Sequence, residues 1–150
     1  MWPFLIFSIL ILVVDRILKI IVFKNLYIGS SLPVVKGLLH ITPTYNKGAA
    51  FGLFKESPSF ILVTTSSVAA VFIIYIILAK KPKSYLLLSG LFLILSGAIG
   101  NLIDRIRYGY VMDFIDLRIW PVFNIADSSI TTGACLILLY LFIAASKEKG

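Results

Sequence analysis

Residues 60–79 run for twenty positions without a charged side chain. A helix of that length rises about 30 Å, the thickness of a bilayer's hydrocarbon core. Lys80, Lys81 and Lys83 follow, and Pro82 between them blocks helix continuation. Three further runs are predominantly apolar: residues 4–23, interrupted by Asp15, Arg16 and Lys19; residues 85–103; and residues 125–145, which carry Asp127. Hydrophobic residues make up 59% of the chain and charged residues 14%, against about 25% charged in soluble domains. Mean hydropathy is +1.00. The expectation is an all-α membrane protein of one integral domain, residues 1–150, with four transmembrane helices.

Residues 24–58 break the pattern. Gly29, Pro33, Gly37 and Pro43 punctuate short β-prone stretches, so two to four strands are expected there. The segment is too long for an idle loop and reads as a small β-rich subdomain on the membrane surface. Four spans place both ends of the chain and the Lys80–Lys83 turn on one side. Dense lysines beside spans mark the cytoplasmic face, which puts this subdomain outside the cell membrane. The first run lacks a basic leader and an A-x-A site, so it reads as a retained span.

Four of the seven acidic residues fall between positions 97 and 129: Asp104, Asp113, Asp116 and Asp127. Carboxylates at the edge of an apolar slab are costly and call for a functional reason. Asp113 is expected in a loop, closely flanked by Met112, Phe114 and Ile115. Asn124 and Asp127 open the fourth run at the spacing of an N-cap and its N3 partner. Asn101, Asp104 and Arg105 share a helix face; they read equally as a self-satisfied polar patch or as a site for a carbonyl or ester oxygen. Asp15 and Lys19, four apart, read first as a neutralised pair with Lys19 snorkelling to the interface. Two carboxylates, one from a loop and one from a helix start, suit acid–base activation of water. Within about 3 Å of each other they would share one proton.

Other chemistry is constrained by what the chain contains. One histidine, His40, and one cysteine, Cys135, argue against zinc, a disulfide framework and a Ser-His-Asp triad. No cofactor or metal is expected. The net charge of +7 is scattered rather than striped, so nucleic acid is not an expected partner; membrane lipid is. A proton conductor would distribute acids through several spans, whereas these cluster at one end. A scaffold subunit would leave Asp113 and Asp127 idle. A serine–lysine peptidase would have to pair Ser128 or Ser129 with Lys19.

Five segments, in order, resemble the lipoprotein signal peptidase (signal peptidase II) family: Asp15–Lys19, Asn46–Gly52, Gly97–Arg105, Gly109–Phe114 and Phe123–Ser128. The resemblance implies an aspartic endopeptidase of the bacterial cytoplasmic (inner) membrane, its site toward the extracytoplasmic face. It implies removal of signal peptides from diacylglyceryl-modified prolipoproteins, with cleavage before the lipidated cysteine, and sensitivity to globomycin-type inhibitors. It assigns Asp113 and Asp127 as the catalytic pair, and Asn46, Gly48, Asn101, Arg105 and Asn124 as substrate-binding residues. Asp15, Lys19 and Asp104 become supporting residues, and the surface subdomain becomes a β-cradle. Two features depart from the family pattern. Arg16 stands where Gln is common, and the segment between Asp113 and Asp127 is short.

Overall fold

The computed structural model describes residues 1–47, 58–80 and 82–148. Gly48, with the Ala49–Gly52 end of its motif, lies outside the described residues, as do Lys81 and Lys149. The chain runs α1 (Trp2–Asn25), β1 (Leu32–Val35), β2 (Leu39–Asn46), α2 (Pro58–Tyr75), α3 (Tyr85–Tyr108), β3 (Val111–Asp116) and α4 (Ile125–Glu148). A π-helical turn, Ile76–Lys80, extends α2. Helices α1, α3 and α4 outrun the apolar runs that predict them, because backbone hydrogen bonding continues past the last apolar side chain.

Helix α3 is bounded by local chemistry. The Ser84 hydroxyl accepts from Leu87 N–H at 3.3 Å at its start. At its end Gly109 takes the left-handed conformation at φ 78° and donates to Arg105 O, the usual role of glycine there. That stop leaves two residues before β3 begins.

On α1 the burial pattern is inverted relative to a soluble protein. The buried positions are Ser8, Asp15, Lys19 and Val22, while Ile6, Ile9, Leu10, Ile17 and Ile20 are exposed. Helices α3 and α4 meet most closely where side chains vanish. A Cβ built on Gly97 would lie 2.3 Å from Ala126 O and 2.7 Å from Ile130 Cγ1, so this crossing admits only glycine. Ser96 and Gly100, four apart on α3, present small residues to the same contact: Ser96 Oγ lies 3.1 Å from Ser129 Oγ, and Gly100 packs against Ala126 and α1. An apolar cluster of Ile73, Ile77, Leu88, Leu91 and Phe92 joins α2 to α3. Among the described residues, two helices, Tyr85–Tyr108 and Ile125–Lys147, are long and apolar enough to cross a membrane. Charges at Asp15, Arg16 and Lys19 interrupt α1, yet two of these three are buried against other helices.

The sheet has three antiparallel strands in the order β1-β2-β3. A turn at Gly37 (φ 78°) closes the β1–β2 hairpin. Among the described residues of 24–58, these two are the strands. The third, β3, comes from the acidic segment, with Thr44 opposite Asp113 and Asn46 opposite Val111. Asp113 therefore sits in a strand, and the expectation of a loop is corrected. Val111 to Asp116 is β-prone and pairs with the side of β2 that β1 leaves open, so β2 becomes the central strand.

Candidate active site

The first turn of α4 has backbone N–H groups with no partner inside the helix. Asn124 meets one of them: Asp127 N donates to Asn124 Oδ1 at 2.8 Å. Asp127 answers, its Oδ2 accepting from Asn124 N at 3.2 Å. This is a reciprocal capping box, as the spacing predicts. It uses only the oxygen of the Asn124 amide. The nitrogen is left to point the other way, donating to Asp113 Oδ1 at 2.6 Å, Asn101 Oδ1 at 3.2 Å and Met112 O at 3.3 Å.

Strand β3 reaches Asn124 because the chain doubles back within a few residues. Phe123 pairs with Ile115: Ile115 N donates to Phe123 O at 2.7 Å, and Phe123 N to Ile115 O at 3.0 Å. This bridge sets the start of α4 beside the strand, so the short segment after Asp116 is sufficient. Ile119 and Trp120, at its tip, are 89% and 68% exposed.

The two carboxylates thus sit on one hydrogen-bonded wall. Asp113 Oδ2 accepts from Asn46 Nδ2 at 2.9 Å, and Asp127 Oδ1 accepts from Asn101 Nδ2 at 2.7 Å. All four oxygens of the pair are held by amide donors. Asn124 is fully buried and Asp113 is 1% exposed, while Asp127 is partly open. A cavity of about 380 Å³ opens beside Asp127, lined by Leu117, Trp120, Phe123, Ser128, Thr131 and Thr132. Burial pushes the Asp113 carboxyl up to about 6. The Asn46 hydrogen bond opposes that rise, the nearby Asp127 charge adds to it, and Asn124 and Lys19 oppose it. Arg105, half-buried on α3, acts electrostatically on Asp127, Asp113 and Asp104.

Behind the wall lies a buried cluster of charges. Lys19 Nζ sits 2.7 Å from both Asp15 Oδ2 and Asp104 Oδ2. Arg16 pairs with Asp104 Oδ1 and lies 3.5 Å from Asp15 Oδ2. Lys19 is 1% exposed, so its expected snorkelling to the interface is corrected. Two carboxylates inside the bundle hold it more strongly than the interface could, since an unpaired buried charge is costly. The spacing of Asp15 and Lys19 was legible; that a third helix supplies Asp104 was not.

The other sequence candidates separate clearly. Ser128 Oγ donates to Asn124 O at 3.1 Å and Ser129 Oγ to Leu93 O at 2.7 Å. With Lys19 engaged by two aspartates, no serine–lysine pair forms. His40 Nδ1 lies 2.9 Å from Ser31 Oγ, but the adjoining carboxylate, Asp116, accepts from Thr42 at 2.9 Å rather than orienting the imidazole. Sequence reasoning gave Arg16 no role and did not foresee Phe123 as the latch on β3. The β-prone Val111, Phe114 and Ile115 are the available signal for the strand.

Comparison with known proteins bears on this arrangement. Residues 7–143 match the family model described as signal peptidase (SPase) II. A lipoprotein signal peptidase of Pelotomaculum thermopropionicum is 44% identical over 150 residues, covering 99% of this chain and 97% of that protein. One of Halothermothrix orenii is 41% identical over 133 residues, covering 89% and 90% respectively. A bacterial membrane enzyme solved by the in meso method at 2.3 Å resolution superposes with a TM-score of 0.91 at 30% identity, covering 98% of this chain and 92% of that one.

Proposed function

Because the chain belongs to the signal peptidase II family, we propose that it is an intramembrane aspartic endopeptidase in which Asp113 and Asp127 are the catalytic pair. The observation that carries this reading is the amide wall. Asn124 donates to Asp113 and caps Asp127, while Asn101 links Asn124 to Asp127. No structural need of the capping box requires Asn124 to reach a strand as well.

The environments of the two carboxyls divide their work. Asp127 lies in the first turn of α4, its oxygens held by the Asn101 amide and the Asn124 N–H, and a cavity opens beside it for water. Asp113, raised to about 6, retains the shared proton. Asp127 takes a proton from water, the resulting hydroxide attacks the scissile carbonyl, and Asp113 protonates the carbonyl oxygen. The tetrahedral diol then collapses. The proton on Asp127 moves to the leaving amine, and one diol proton returns to Asp113. The pair ends as it began, with an acid and an amine released.

The substrate in this reading is a diacylglyceryl-modified prolipoprotein, cut before the lipidated cysteine. All four helices α1 to α4 span the bacterial cytoplasmic membrane as one integral domain, residues 1–150, with residues 24–58 and the catalytic pair on the extracytoplasmic side. The outward apolar residues of α1 face acyl chains. Asn46, Asn101, Arg105 and Asn124 order the site and contact the peptide. Gly48, outside the described residues, is assigned to substrate binding by its motif alone, and Asp15, Lys19 and Asp104 support the site. Globomycin-type inhibitors occupy the same place.

The pH dependence of cleavage tests the proton assignment. The active form carries one proton on the pair, so kcat/KM is expected to fall as pH rises through about 6, when Asp113 loses it. Bound substrate excludes further water, which raises a buried carboxyl, so kcat is expected to hold to higher pH than kcat/KM. A flat kcat/KM between pH 5 and 8 on a lipidated peptide would contradict the assignment.

A further inference from the structure

Asp15 and Asp104 are each placed one residue short of the pair. Asp15 Oδ1 accepts from Ala126 N at 3.1 Å, the residue before Asp127. Asp104 Oδ2 accepts from Met112 N at 3.3 Å, the residue before Asp113. Two buried carboxylates on different helices therefore grip the backbone immediately ahead of both catalytic side chains. Their mutual position fixes the distance between α4 and β3 at the site. Two cations tie them together: Lys19, equidistant from both, and Arg16, whose guanidinium reaches Asp104, Asp15 and, at 3.4 Å, Gly100 O.

Resting on the catalytic assignment above, we infer that Arg16 is a positioning residue, setting the geometry of the Asp113–Asp127 pair through Asp104 and Asp15. Lys19 alone leaves this buried group with one cation against two carboxylates. Arg16 makes it neutral. It also locks Asp104 from the side opposite Lys19, since the two cations bind different oxygens of that carboxylate, Oδ1 and Oδ2. A planar fork suits this task, because it engages several acceptors from one fixed orientation. Without it, Asp104 can rotate about Lys19 and release Met112 N–H, and Asp113 drifts relative to Asp127. Misplacement of a reacting group by about 1 Å costs up to about 100-fold in rate.

The test uses the full chain purified in micelles and a synthetic diacylglyceryl-modified peptide spanning the cleavage site. Arg16→Met and Arg16→Lys are compared with the parent for kcat, KM and thermal unfolding. Arg16→Met is expected to lose about 10- to 100-fold in kcat with KM within about twofold, and Arg16→Lys to recover only part of the loss, since it restores the charge without the fork. A merely structural role would lower the unfolding temperature but leave kcat per folded molecule and KM unchanged, which would overturn the inference. So would Arg16→Lys being as slow as Arg16→Met. Should Arg16→Met not fold, Arg16→Lys decides the matter: a kcat several-fold below the parent's at unchanged KM supports positioning by the fork, and a parent-like kcat or a change in KM alone refutes it. An Asp113→Asn control that cleaves like the parent would instead sink the catalytic assignment on which the inference rests.

Discussion

Replacing Asp113 or Asp127 by asparagine is expected to abolish cleavage of a lipidated prolipoprotein in membranes, a loss of about 10³-fold or more, since removing one member of a catalytic unit costs nearly as much as removing all. Each substitution removes a proton-carrying group and keeps the shape. Each also disturbs the wall. Both oxygens of Asp113 accept from amide donors, Asn46 and Asn124, and both oxygens of Asp127 do so from Asn101 and the Asn124 backbone. An asparagine turns one acceptor into a donor facing a donor, at a cost of about 1–3 kcal/mol. Accumulation of the variant protein in membranes must therefore be measured beside its activity. Uncleaved substrate with the variant present at parent levels is the expected result. Parent-like cleavage by either variant would remove that residue from the catalytic pair.

The largest effect on stability is expected from Lys19→Met. The methionine fills much of the same space but strips Asp15 and Asp104 of the ammonium that sits 2.7 Å from each. Breaking a buried pair by deleting one partner costs about 3–5 kcal/mol, because the remaining charge stays buried and uncompensated. For a chain of this size that corresponds to a fall of roughly 10 °C in unfolding temperature. Activity should fall with it, since both carboxylates steady the backbone ahead of the pair. Thermal unfolding in detergent measures this directly. An unchanged midpoint would mean that Asp15 and Asp104 are satisfied without Lys19.

Much of this site could be read from spacing, and the failures share a cause. The Asn124–Asp127 capping box is a contact three residues apart, so sequence periodicity exposes it. The helices behave likewise, because apolar runs and the Ser84 and Gly109 boundaries are local. Asp113 was different. Its strand exists because β2, some 70 positions earlier in the chain, needs a partner, and that pairing is invisible to a window of residues. Lys19 fails for the same reason: its second carboxylate comes from α3. The role of Arg16 was hidden too, since only the folded bundle brings α1 against Asp104. Gly48 lies outside the described residues, and its part in the site stays a proposal.

Infrared titration of the labelled Asp113 carboxyl in the full chain measures most directly whether Asp113 and Asp127 form one electrostatically coupled unit. Burial and the Asp127 charge both raise Asp113. The protonated carboxyl band is therefore expected to disappear around pH 6, and at lower pH in Asp127→Asn, where the repelling charge is gone. A band that vanishes below about pH 4.5, near the ordinary value for an aspartate, or that ignores Asp127→Asn, would show two independent carboxylates and contradict the account.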